Sequence, residues 1–209
     1  MEILQGVQSK LSEIDCDLIL LGVNHPDQVE SSLRHHVMRS RVDGLLFFSM
    51  RMPDTYAGQL HHTRTPVVLV DTFHEQFDCL TVDNQQGAHA ATRFLISLGH
   101  KRIGMLAANR KSIPARERLM GYRKAMKDAG LPLEPSLVKN SSSSKLDGFT
   151  RESGKDVMNQ FLALGKRMPT AIFVSSDIQA VGALSAIGEA GMRCPEDMSI
   201  VGFDDIELA

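Results

Sequence analysis

Ile200-Val201-Gly202-Phe203-Asp204-Asp205-Ile206-Glu207-Leu208-Ala209 closes the chain. An apolar run enters a glycine, and two consecutive carboxylates come after it. Open α/β sheets bind their ligands outside the carboxyl ends of their strands, so a strand that ends in paired acids points to a sheet with a binding crevice.

The upstream sequence has the matching pattern. Short apolar runs alternate with helix-period segments, as in a parallel sheet covered by helices. Strands are predicted over residues 17–23, 44–49, 66–71, 79–82, 102–107, 136–139, 170–175 and 199–203. The clearest helix runs from about Asn84 to Leu98, where Ala88, Ala91, Leu95 and Leu98 share a face and Gly99 supplies the stop. Pro114 suits the first turn of the next, which carries Leu119, Tyr122, Met126 and Ala129 ahead of Gly130. Thr150 or Asp147 starts a third, through Val157, Met158, Phe161 and Leu162. Asp177 is a candidate cap for a fourth, with Val181, Leu184 and Ile187 facing inward and Gly191 after its end. The polar stretch Asn140–Lys145 reads as a surface loop.

The chain opens inside a helix, with Ile3, Leu4, Val7, Leu11 and Ile14 at helical spacing. A doubly wound lobe ordinarily begins with a strand. The sequence therefore reads as a fragment: an N-terminal lobe over 1–82 without its first strand, and a C-terminal lobe over 83–209 without its closing element.

Composition narrows the function. With 209 residues, 43% hydrophobic and 23% charged, the chain is ordinary for a globular protein. A formal net charge of -2 offers no positive field for gripping nucleic acid. Cys16, Cys79 and Cys194 are scattered, which argues for reduced, cytoplasmic thiols rather than disulfides or zinc. Apolar runs such as 18–23 are too short to span a bilayer, and no secretory leader is visible.

Catalysis finds little support. The pairs His35-His36 and His61-His62 point about 100° apart on a helix, and no HExxH spacing occurs, so no metal is expected. There is no GxGxxG after a strand, no GxxxxGK[ST] and no GxSxG, so no cofactor and no catalytic residue is assigned. Asp204 and Asp205 diverge as strand-end neighbours and lack a third group with a defined role.

Three ordered segments carry a family resemblance. They are Val82-Asp83-Asn84 with Gly87 and Gly99-His100-Lys101-Arg102-Ile103-Gly104; Arg118-Leu119-Met120-Gly121-Tyr122 with Ala125 and Gly130; and the run from Ala171 through Asp177, Ala180, Gly182, Gly191 and Pro195 to Gly202-Phe203-Asp204-Asp205. Together they resemble the effector-binding core of the lactose/galactose repressor family of bacterial transcription regulators. The resemblance implies two doubly wound parallel-sheet lobes of the periplasmic-binding-protein type, with a small effector in the cleft between them. It also implies a homodimer, and operator DNA bound only through a helix-turn-helix headpiece that would precede Met1.

The same resemblance nominates the site. Arg118 is the leading effector ligand, an exposed cleft arginine whose guanidinium suits sugar hydroxyls or a carboxylate. Asp204 is the second, accepting from ligand hydroxyls, while Asp205 caps the next helix or turn. Ser176 stands where many members carry Asn. Phe149 matches an aromatic platform, although the serine-rich insert lengthens the approach to it, and it can equally be a core residue. Asp71 and Ser112 match cleft-facing positions, where each can equally satisfy local backbone groups. Asp177 reads as a helix cap.

The implied function is the effector-sensing and dimerisation region of a bacterial transcription regulator, with a sugar, sugar phosphate or purine as effector. The rival readings are a periplasmic sugar-binding receptor of a transport system and, more distantly, a flavodoxin-like α/β enzyme.

Overall fold

Each run of alternating strands and helices closes on its own parallel sheet, in two units, Met1–Thr81 and Val82–Ala209. The structure, a computed structural model, describes residues 2–22, 31, 35, 37, 41–48, 52, 54–63 and 65–206.

The first unit contains α1 (Glu2–Glu13), β1 (Leu45–Phe48), α2 (Asp54–Thr63), β2 (Val67–Val70) and β3 (Asp78–Leu80). The strands lie side by side as β1-β2-β3, all parallel, with Leu45 opposite Val67 and Val68 opposite Asp78. Phe47, Val67 and Leu69 pack with Val37, Met52, Ala57 and Leu60 into one core cluster. The predicted strand at 17–23 is not formed over 17–22, where Leu18, Ile19, Leu20 and Leu21 are exposed; Val23 lies outside the described residues. An apolar run becomes a strand only when a neighbour takes its backbone N–H and C=O groups, and no described strand pairs with this one. Of the histidine pairs, His61 and His62 end α2 and are exposed, as is His35, while His36 lies outside the described residues.

The second unit contains α3 (Asn84–Ser97), β4 (Ile103–Ala107), α4 (Ile113–Asp128), β5 (Val138–Asn140), α5 (Arg151–Leu162), β6 (Ala171–Val174), α6 (Asp177–Glu189) and β7 (Ser199–Val201). Its parallel sheet runs β5-β4-β6-β7, with Met105 opposite Val138, Ile103 opposite Ala171 and Ile172 opposite Ile200. β4 and β6 are buried along their whole length, which explains their unbroken apolar sequence. One face, including Ile103, Met105 and Phe173, packs on Ala88 and Leu95 of α3 and Tyr122 and Met126 of α4. The other, with Leu106, Ile172 and Val174, packs on Val157, Met158 and Phe161 of α5 and Ala183 and Ile187 of α6. Helices on both faces make the unit doubly wound.

Two motif glycines set the spacing of these helix pairs. An alanine Cβ at Gly121 of α4 would stand 2.2 Å from the Gln85 carbonyl oxygen on α3, and one at Gly182 of α6 would stand 1.9 Å from that of Arg151 on α5. Several strands are shorter or shifted by one or two residues relative to the sequence reading, and other local differences have a physical cause. Ser176, not Asp177, caps α6, because Ser176 has the extended backbone a cap needs and its Oγ accepts from the Gln179 N–H at 3.4 Å. Thr150, not Asp147, caps α5, and Asp147 sits in a left-handed turn. The expected strand at 136–139 starts as a single 3-10 turn, Pro135–Leu137, and pairs only from Val138. Among the described residues, no helix is long and apolar enough to cross a membrane.

Candidate functional site

β4 and β6 are neighbours, yet the chain leaves them for opposite edges of the sheet, to β5 and to β7. The chain thus leaves the two strands in opposite directions, and open α/β sheets place their ligand crevice beyond the C-terminal ends of the strands at such a switch point. Arg118, in the second turn of α4, reaches it. The Nε donates to Asn84 Oδ1 at 2.8 Å and Nη1 to the Ser175 carbonyl at 2.5 Å. Nη1 also lies 3.3 Å from a carboxylate oxygen of Asp204. The guanidinium carbon stands 3.8 Å from the Phe203 ring centroid and 5.7 Å from that of Phe149.

Sequence reasoning expected an exposed arginine. Arg118 is instead 6% exposed. A buried charge persists only when it is paired and hydrogen-bonded, and the planar, weakly hydrated guanidinium also gains from aromatic faces. Asn84 is held in turn, its Nδ2 donating to Glu117 Oε2 at 2.9 Å and to the Val82 carbonyl at 3.2 Å. Gly87 makes room for the aromatic partner, since a Cβ there would stand 2.6 Å from Phe203 Cε2.

Asp204 and Asp205 leave β7 in unusual backbone conformations, with φ of 117° and 57°. Such left-handed non-glycine residues store strain, which a structure keeps where geometry matters. The Asp204 side chain is 37% exposed while it faces Arg118, so this carboxylate combines a fixed partner with access to a ligand. The next donor, Ile206 N–H, is accepted by Asp177 Oδ2 at 3.0 Å.

The other nominated residues divide. Phe149 is half-buried beside Arg118, and its approach loop is tied down: Asn109 N–H donates to the Asp147 carbonyl at 2.8 Å and Asn109 Nδ2 to the Ser143 carbonyl at 2.9 Å. Ser112 and Ser176 are buried caps of α4 and α6, their hydroxyls accepting from Ala115 and Gln179 N–H. Asp71 belongs to the first unit, where its N–H donates to the Leu80 carbonyl at 2.9 Å and its φ is 56°. Asn84, Phe203 and Asp177 are the members sequence reasoning missed. Asn84 and Phe203 lay inside the quoted motifs, but nothing local showed that residues so far apart in sequence share one arginine. Among the described residues, no group of three or more His, Cys, Asp or Glu could hold a metal ion.

Proteins similar to this chain are transcription regulators. The periplasmic binding protein-like domain family matches residues 92–209. The transcriptional repressor PurR of Haemophilus influenzae (strain PittEE) is 35% identical over 212 residues, covering 100% of this chain and 60% of that protein. The chain spans 59–60% of the length of such curated relatives. The crystal structure of a LacI family transcriptional regulator from Mycobacterium smegmatis aligns with a TM-score of 0.79 at 30% identity, over 97% of this chain and 73% of that one. The transcriptional regulator CelR in complex with cellobiose aligns with a TM-score of 0.83 at 31% identity, over 97% of this chain and 61% of that one. The relatives are transcription regulators rather than enzymes, and this chain belongs to the LacI family, of which it carries the periplasmic binding protein-like domain.

Proposed function

We propose that the chain is the effector-sensing and dimerisation region of a homodimeric cytoplasmic transcription regulator, and that a small molecule binds at the C-terminal edge of the second unit's sheet. The observation that carries the reading is the buried Arg118, set on Phe203 with Phe149 nearby and paired with the accessible Asp204 at the switch point of the sheet. The carboxylate accepts from hydroxyls or ring N–H groups, the guanidinium anchors it, and Phe149 offers an apolar face. This chemistry suits a sugar, a sugar phosphate or a purine, and the cellobiose complex of a relative favours a sugar. Operator contact falls to residues outside these 209, whose net charge of -2 provides no field for it. Binding switches the regulator only by favouring one of its arrangements, and a near-complete switch needs about 5.5 kcal/mol of differential affinity.

A thermal-shift screen with cellobiose, ribose, a hexose phosphate and hypoxanthine tests this. A true effector raises the melting temperature with saturation. Arg118→Ala should weaken that effector by about 1.5–3 kcal/mol, the worth of a charged hydrogen bond. An effector that binds wild type and R118A within about 1 kcal/mol of each other rules out the assigned site.

A further inference from the structure

Ser176 caps α6, so Asp177 is not needed as a cap, yet its side chain is buried. It is spent elsewhere. The Asp177 N–H donates to the Phe203 carbonyl at 2.9 Å, and Oδ2 accepts the Ile206 N–H at 3.0 Å. Its Oδ1 lies against Gly202, where a Cβ would fall 1.9 Å away. Asp177 thus touches the 202–206 turn at Gly202, Phe203 and Ile206, and this turn holds the left-handed Asp204 and Asp205. Residues in such conformations persist only where the surroundings over-determine them.

We propose that Asp177 is a positioning residue: by clamping the 202–206 turn it sets the Asp204 carboxylate opposite Arg118 and lays the Phe203 ring on the guanidinium before any ligand arrives. A binding pair held in advance has less ordering to lose when ligand binds. The inference rests on reading Arg118 and Asp204 as the effector site, but its test reads geometry in the ligand-free protein. A failed effector screen therefore leaves it standing, and a failed clamp leaves the effector site standing.

The experiment is proton–nitrogen NMR of the intact protein with isotope-labelled arginine, the Arg118 Nε–H signal being assigned by its loss in R118K. Stacking on Phe203 displaces that signal by ring current. Asp177→Ala and Gly202→Ala should both move it to the position of an unstacked arginine while leaving the distant Arg167 signal in place. Asp177→Asn, whose amide oxygen can still accept from Ile206, should keep the wild-type position. If D177A does not fold, G202A decides alone, because it displaces the clamp without removing the carboxylate. An Arg118 signal unmoved in G202A and D177A overturns the proposal, as does a D177N signal that moves as far as that of D177A.

Discussion

The two ends of the second unit's sheet solve the same problem, polar groups at strand termini, in opposite ways. At the N-terminal end, Arg102 pairs with Glu134 and donates from Nε and Nη2 to the Arg167 carbonyl at 3.1 and 2.6 Å. His100 bridges Thr170 Oγ1 at 2.9 Å and Ser199 Oγ at 3.1 Å, joining the starts of β6 and β7. Tyr122 donates its hydroxyl to the Ile103 carbonyl at 2.8 Å. These contacts join chain segments through side-chain hydrogen bonds. At the C-terminal end the arginine is buried beside two aromatic rings, and Ser175 Oγ is a buried side-chain atom with no hydrogen-bond partner among the described residues. All the described non-glycine residues of this unit in left-handed conformation, Leu146, Asp147, Asp204 and Asp205, also lie in loops beyond this end. Strain and an unsatisfied hydroxyl gather at the end where we propose that a ligand binds, and hydrogen-bonded links between segments gather at the other.

The sharpest way to break this contrast is to remove one arginine from each end. R118A should lower effector affinity about 10- to 150-fold, the equivalent of a charged hydrogen bond, whereas R102A should leave it unchanged. Isothermal titration of both variants with the effector found by thermal shift decides it, and equal losses would erase the distinction.

Tyr122 offers a test in alkali. Burial above all, with a smaller push from Glu134, raises its hydroxyl to about 12. Its usual value is near 10. The contribution is therefore full below about pH 10 and is lost as pH rises through the folded value, amounting to roughly 2–3 kcal/mol at 1.36 kcal/mol per unit. Denaturant midpoints followed between about pH 8 and 12 should fall more steeply for wild type than for Y122F.

A smaller effect is expected at His100. H100A removes two links between strand starts and should cost about 0.5–1.5 kcal/mol for each in urea unfolding, with effector affinity intact. Lost affinity would mean that the two ends are coupled through the sheet.

The smallest effect belongs to Asp197, whose carboxyl is held below its usual range by Arg193, first through its side-chain hydrogen bond and then through its backbone N–H. Its contribution is present above the ordinary carboxylate range, about pH 4, and disappears as pH falls through the lowered value. D197N should flatten acid unfolding slightly, and only there.

How far the sequence could be read depended on the range of the interaction. Arg118, Gly121 and Asp204 stand out because motif spacing carries them, and β4 and β6 because a strand buried on both faces is apolar throughout. The neighbouring Ser176 and Asp177 could both cap a helix on paper; the extended backbone at Ser176, with φ of -159° and ψ of 157°, gives the cap to the serine and releases the acid for the 202–206 turn. Residues 17–22 misled because apolar composition measures a wish for burial and does not show a ladder partner.

The sequence by itself determined an α/β chain of parallel strands and covering helices and the family it resembles, and it nominated the two charges of the proposed site, because periodicity, glycine spacing and motif order are local and additive. Only the tertiary structure decided that Arg118 is buried rather than exposed, that Asn84 and Phe203 complete its surroundings, and that Asp177 serves a turn 29 residues away. Those outcomes depend on which buried polar groups find partners once the sheet has brought distant loops to one end, and that accounting exists only in the folded chain.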